Sequence, residues 1–455
     1  MNSFWIKLTL LPIFKEASYK NKRINFVSYL LNVKARDFYF VRLFLFLILE
    51  MNKTLQSDKD KRNGIINLAF LRTTRSIAAG MINVAFPYYI LTTLHYSAFI
   101  MGVIYVSAAI TTAVLGFLFG ITTDVWGKRY TLLITGVLLP ISTILVYLSP
   151  SLWLIIPGAM IGGYSATGSL AGGGIGGAMA PIQNVVLANL TSNDERTKYF
   201  SQFTFLSGVI SAVGALLVKL IDVHEVFLVA GIISFLGIPG LFFIKVSEVK
   251  GKINQLKTKK TIGKFTLTGM LNGFSQGLTV PFLIPFFVLV YHLPKSELSV
   301  FAFISGVLGS FALLAAPVLE KYFGFVKSIV ATRAAGTILF VLFPIIRVLP
   351  VSVIIYIISP SLRIAALPIQ QSELTRRVED DEMGRALGTN QVARLAASST
   401  GTGLSGYFMD NSLFEMPFFI YGVVMAFNLY LYVKFFGEKS GKNPSIAGNS
   451  NYSNK

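Results

Sequence analysis

The stretch Gly120-Ile-Thr-Thr-Asp124-Val-Trp-Gly127-Lys128-Arg129 decides how the chain is read. It lies between two long apolar runs, 99–122 before it and 130–148 after it. A tight turn between two membrane helices needs small residues where the backbones meet, and Gly120 and Gly127 supply them. Asp124 stands just before the second run, where a carboxylate meets free N–H groups and the positive end of a helix dipole. Lys128 and Arg129 hold this end of the helices on the cytoplasmic side.

Composition agrees with a membrane setting. Of 455 residues, 53% are hydrophobic and only 13% charged, too apolar for a soluble protein of this length. A bilayer core ~30 Å thick needs ~20 apolar residues per helix. The sequence offers twelve such spans, at 65–93, 97–122, 130–149, 152–188, 199–220, 226–246, 265–292, 297–319, 328–347, 349–372, 386–408 and 414–436. The expected fold is an all-α membrane protein of twelve transmembrane helices in two pseudo-symmetric six-helix bundles. Span 4 is too long for one straight helix. Its Gly162-Gly163 and Gly172–Gly177 tracts predict a break.

The formal charge of +19 reflects basic loops on one side, not a nucleic-acid surface. Lys53, Lys59, Lys61, Arg62, Lys128, Arg129, Arg196, Lys198, the lysines of 245–264, Lys321, Lys327, Arg376, Arg377 and Arg385 fall on one face. Lys219, Lys295 and Arg347 fall on the other. Both termini are therefore expected in the cytoplasm, with the protein multi-pass in the cell membrane. The chain divides into an N-terminal extension (1–64), a first six-span half (65–246), a basic linker (247–264), a second half (265–436) and a polar tail (437–455). Within the extension, 38–49 is too short to span and makes a poor signal peptide. Met51 precedes a polar stretch that reads as a natural start, so 1–50 is either interfacial or outside the natural protein.

The halves repeat. Phe86-Pro87-Tyr88-Tyr89 in span 1 matches Ile284-Pro285-Phe286-Phe287 in span 7, 198 residues on. Gly127 matches Gly324, 197 residues on. Pro181-Ile-Gln183-Asn184 matches Pro368-Ile-Gln370-Gln371, 187 residues on. The drop of ten places extra residues in the first half, most naturally in the glycine tract.

In this position the pattern Gly, three residues, Asp, two residues, Gly-Lys-Arg closely resembles the loop 2–3 signature of the major facilitator superfamily. The resemblance covers about 65–436. The second copy is degenerate: Lys321 stands where Asp124 stands, Glu320 partly substitutes, and Phe325 and Val326 replace Lys128 and Arg129. The resemblance implies alternating access, one half rocking against the other around a midplane site. It makes Gly120, Asp124, Gly127, Lys128 and Arg129 a conformational gating loop, and lines the central cavity with spans 1, 4, 7 and 10. The span 4 arginine motif of many proton-coupled members and the span 5 Gly-Pro element of drug antiporters are both missing.

Five arginines enter the spans: Arg72, Arg75, Arg333, Arg363 and Arg394. All but Arg363 lie two or three turns from the cytoplasmic end, where snorkelling is the bland explanation. Arg72, Arg75, Ser76, Gly80, Asn83 and Pro87 share one helical face of span 1. Thr268, Asn272, Ser275, Gln276 and Thr279 share one in span 7. The candidate cavity residues are Arg75, Asn83, Asn272, Gln276 and Arg363, a cationic, hydrogen-bonding set facing no acid. It suits a small polar or anionic solute better than a lipophilic cation, with helix-to-helix tying as the bland alternative.

No Asp or Glu lies mid-span, and the three histidines fall in loops. With no cysteine either, no metal site, catalytic residue or cofactor is expected. The expected protein is a secondary transporter and not an enzyme, its partners a small-molecule substrate, possibly a coupling proton or ion, and the bilayer. Alternatives are a multidrug or lipophilic-compound exporter of the same fold, a polytopic membrane enzyme, or a solute-sensing receptor.

Overall fold

The computed structural model describes residues 59–125, 127–164, 177–191, 193–244, 258–378 and 383–437; within these, some side chains, among them 120–125, 193–198 and 383–385, are not described. The readings of residues 1–50, of most of the basic linker, of the second glycine tract and of the tail fall outside the described residues. Contacts group residues 63–455 in one unit and residues 1–62 in another.

Every described regular element is helical. The first half holds α1 (Lys59–Tyr88), α2 (Ala98–Val125), α3 (Lys128–Leu148), α4 (Leu152–Gly162), α5 (Ala180–Leu190), α6 (Asn193–Leu217) and α7 (Glu225–Leu236). The second holds α8 (Lys259–Thr279), α9 (Leu283–Tyr291), α10 (Lys295–Leu342), α11 (Leu349–Arg376), α12 (Met383–Asp410) and α13 (Met416–Phe436). In a bilayer only such elements satisfy their own backbone groups. α10 is two helices joined at Gly324, so it accounts for spans 8 and 9. Nine described segments are long and apolar enough to cross a membrane. Spans 1, 4 and 11 fall short: α1 carries Arg72 and Arg75, span 4 is interrupted, and α12 is rich in Ser, Thr and Gly.

The breaks have local causes. α4 ends at Gly163, which takes the left-handed conformation (φ 61°, ψ 47°). Helix resumes at Gly177. Span 7, expected unbroken, is interrupted at Val280–Phe282 by a 3-10 turn carrying Pro281, whose ring cannot continue the hydrogen-bond ladder. Span 1 ends in a π-helical turn, Tyr89–Thr93. Asp124 belongs to the last turn of α2, and Gly127 is the residue that precedes α3. This corrects the placement of Asp124 just before the second helix.

The repeat is visible as matched geometry. Gly127 and Gly324 both have positive φ, 87° and 73°, and both turn the chain between spans. His95 and His292, 197 apart, are both left-handed at φ 55° and 52°. The Tyr96 N–H donates to the Ile90 carbonyl, and 197 residues on the Leu293 N–H donates to Phe287. A Cβ on Gly80 would strike the Ser211 carbonyl, and one on Gly277 would strike the Ser398 carbonyl. A Cβ on Gly214 would strike the Ile77 carbonyl, and one on Gly401 the Phe274 carbonyl. The spacings are 197 for 77/274 and 80/277, and 187 for 211/398 and 214/401. The drop of ten thus falls between α3 and α6, where span 4 is interrupted while its counterpart α11 is continuous. The prolines of spans 1 and 7 differ from this register by one: at 197, Pro87 aligns with Ile284.

Between the halves, α2 packs on α12 and α6 packs on α10, contacts related by the same pseudo-symmetry. At the end carrying His95, His224 and His292, here the histidine end, one buried cluster draws from both halves. Phe86, Tyr89 and Phe227 share it with Phe286, Phe287, Phe343 and Phe418. At the opposite, turn end, a cluster of Phe265, Ile329, Ile369, Tyr432 and Phe436 is drawn from the second half alone.

Candidate functional site

Under the shared aromatic cluster lies a cavity of about 80 Å³ between the halves. The first half contributes Asn83 and Pro87 of α1, Tyr105 of α2 and Ser211 of α6. The second contributes Val280 at the span 7 break, Ser305 of α10, and Tyr356 and Arg363 of α11. Gly80 sets this geometry, since its close approach to the Ser211 carbonyl holds α1 against α6 and turns Asn83, three residues on, to the cavity. Pro281 interrupts span 7 at the same level. Solute pockets commonly measure ~300–1,000 Å³, so the cavity is contracted here.

Of the five residues expected on its wall, Asn83 and Arg363 line it. The other three lie in helix contacts. Arg75, 7% exposed, donates from Nη1 to the Gly136 carbonyl at 3.2 Å. Asn272 and Gln276 are fully enclosed, and the Gln276 Nε2 has no hydrogen-bond partner. Tyr105, Tyr356, Ser211 and Ser305 escaped the sequence reading. Their signal was weak, because a tyrosine or serine in an apolar span is as readily explained by packing.

The arginines are not snorkelled. Arg72 donates from Nε to the Ser207 hydroxyl at 2.5 Å and lies over the Phe203 ring. Arg333, 2% exposed, donates to Gln370 Oε1 at 2.6 Å and to Asn428 Oδ1 at 3.4 Å, and stacks 4.8 Å from the Tyr432 ring centroid. Asn428 donates in turn to the Thr268 carbonyl at 2.7 Å. Arg394 donates to Gln391 at 2.8 Å. Arg363 is 9% exposed, and its Nε has no partner. Every charged residue found buried among those described is a cation: Arg72, Arg75, Lys128, Arg333 and Arg363.

The repeat relocates one of these charges. At a spacing of 197, Arg75 corresponds to Asn272, and Gly136 corresponds to Arg333. The first half places its guanidinium on span 1 and reaches span 3, whereas the second places it on span 9.

The described ion pairs lie at the helix ends. At the turn end Arg376 pairs with Glu320 at 2.6 Å and Arg377 with Glu373 at 2.6 Å. Glu320, next to the position of the acid missing from the second signature turn, thus bonds the end of α11. At the histidine end Arg347 pairs with Glu415. In the first signature turn, Arg129 donates to the Phe242 carbonyl at 2.8 Å, where the last carbonyls of span 6 seek donors. Lys128 is buried. The Asp124 side chain lies outside what the structure describes. His224 is not simply solvated: its Nε2 lies 2.9 Å from the Tyr147 carbonyl and its ring stacks on Tyr147.

Two helical bundles related by an internal repeat, with a buried cavity between them, define the class: a polytopic membrane carrier. The sequence model of the Major Facilitator Superfamily matches residues 68–401. The chain belongs to that superfamily. Among curated proteins no sequence matches significantly. The solved structures it resembles include the nucleoside transporter NupG (15% identity, TM-score 0.65, 84% of this chain and 100% of that one). They also include the human organic anion transporter MFSD10 (12%, 0.62, 82% and 100%). The inward-open xylose transporter XylE from E. coli is a third (17%, 0.64, 83% and 98%). At these identities the likeness is one of fold. Three chemically unlike cargoes on one fold leave the choice of cargo to the site.

Proposed function

We propose that this protein is a secondary transporter that moves a small anionic or strongly polar solute across the cell membrane by alternating access, with both termini in the cytoplasm. One observation carries the reading. Arg363, nearly enclosed and with an unpartnered Nε, faces the cavity opposite Asn83, and the sequence places no carboxylate mid-span to neutralise it. An unpaired charge at membrane depth costs at least ~2.5–3.5 kcal/mol, which a bound anion offsets. Arg75, Asn272 and Gln276 are proposed to approach the cavity when it widens. The joint aromatic cluster at the histidine end supports an inward-facing arrangement, closed toward the outside. The gating role of Gly120, Asp124, Gly127, Lys128 and Arg129 belongs to the same cycle.

The test is the melting temperature of the purified full chain against organic anions, sugars, nucleosides and lipophilic cations. A ligand at ~100 times its dissociation constant adds ~2.7 kcal/mol. Anions are expected to raise the melt in the wild type and to lose that effect in Arg363→Gln. Stabilisation by lipophilic cations alone would overturn the reading and favour a lipophilic-compound exporter, for which Tyr105 and Tyr356 already offer aromatic walls. Binding without flux in proteoliposomes would instead indicate a solute sensor on this fold.

A further inference from the structure

We propose that Arg363, Arg333 and Arg394 act as one cationic subsite that selects a doubly charged anion, a dicarboxylate or phosphate, over a singly charged one. This deepens the function proposed above and rests on it. Arg363 lines the cavity, and its buried Nε has no hydrogen-bond partner. Arg333 stands behind it on span 9. A Cβ on Gly336, one turn beyond Arg333, would lie 3.8 Å from the Leu362 Cβ and 3.8 Å from the Ser359 carbonyl, so span 9 packs directly against the turn of α11 bearing Arg363. Arg394 is locked against span 7, where Gly273 meets its backbone carbonyl. The three guanidinium groups are near enough to feel one another's charge.

The partners of Arg333 are the amide oxygens of Gln370 and Asn428, which orient a guanidinium without cancelling it. Its Nε, too, has no partner. Arg394 is likewise held by an amide, Gln391. No Asp or Glu occurs within spans 7, 9, 10 or 11, and Glu373 and Glu415, beyond the span ends, are paired with Arg377 and Arg347. Three positive charges therefore share a low-dielectric region with nothing fixed to balance them. There each added negative charge on a ligand gains more than it does in water. Arg363 is the group that touches the ligand; Arg333 and Arg394 are positioning residues that act through it.

Thermal titration of the full chain in detergent at pH 7.5 and fixed ionic strength tests this, with malonate as the dianion and propionate as a monoanion of equal carbon number. The wild type is expected to hold malonate about tenfold or more tightly than propionate, roughly the effect of one added charge interaction. Arg333→Met should bring the two within about twofold, and Arg333→Lys, which keeps the charge and loses the fork, should restore the gap. If Arg333→Met does not fold, Arg394→Met carries the same test, since its side chain is held by one local bond. Equal affinity for the two acids in the wild type, or an unchanged gap in the methionine variant, overturns the subsite. If neither acid shifts the melt, the anionic reading itself falls.

Discussion

Asn83 and Arg363 were legible as single residues because their signals survive without neighbours. Asn83 shares a helical face with Gly80 and Pro87, and all three reach the cavity. Arg363 lies too deep in span 10 for its side chain to reach an interface, so burial was the reading that remained. By depth in the span alone, Arg72 and Arg333 read as snorkelled anchors. Their partners, Ser207, Gln370 and Asn428, come from distant parts of the chain and no local pattern names them. A residue-level prediction concerns Asp124, at the end of α2 and four residues before the start of α3. If its charge helps close the turn end, Asp124→Asn keeps ligand affinity within a few-fold while slowing transport. Ligand titration by thermal melt, set beside initial uptake rates in proteoliposomes, separates the two. Wild-type uptake rates in the variant would sink the gating role.

At the scale of elements, the glycine contacts show how the duplication is built. Gly80 and Gly277 each let α1 or α8 touch the backbone of a neighbouring helix, at positions 197 apart. Gly263, in α8, faces open space. Gly80→Val and Gly277→Val are each expected to destabilise by at least ~1–3 kcal/mol, since overpacking against a carbonyl has no flexible end to yield. Gly263→Ala should stabilise by about 0.4–1 kcal/mol through a less flexible unfolded chain and better helix propensity. Chemical or thermal unfolding in detergent checks the contrast. A tolerated Gly80→Val would mean that the α1–α6 crossing is not tight. The repeat was readable in sequence at Gly127 and Gly324, where backbone geometry demands a special residue. It was misread by one position at Pro87 and Pro285, because a kink tolerates a shift along the helix that a backbone crossing does not.

At the scale of the whole molecule, the halves are joined at the histidine end by more than aromatic packing. Lys295, the first residue of α10 in the second half, donates its Nζ to the Ile221 carbonyl in the first. Alternating access requires this bond to break when that end opens. Lys295→Met is expected to shift the population toward opening at the histidine end. The chain has no cysteine, so spin labels at Leu220→Cys and Glu297→Cys report without background. Both positions are exposed at this end, one on each half. The expected result is a longer or broader distance distribution in Lys295→Met than in the parent pair. Identical distributions would remove Lys295 from the gate.

The sequence by itself determined the membrane class, the succession of spans, the break after Gly162 and the duplicated halves. These follow from hydropathy, backbone permissiveness at glycine and proline, and spacing, all of which are local or periodic. The absence of any mid-span acid was also readable, since it is a property of composition along the chain. Only the tertiary structure decided which polar residues face the cavity. That depends on helix rotation and on crossings between segments more than a hundred residues apart. Arg75 and Asn272 lie one turn or more from the cavity face, held in helix contacts, while Tyr105 and Tyr356 are brought onto it from α2 and α11. The same physics explains Arg333. A charge buried on span 9 is tolerable because span 10 and span 12 bring it Gln370 and Asn428, and that meeting exists only in the folded chain.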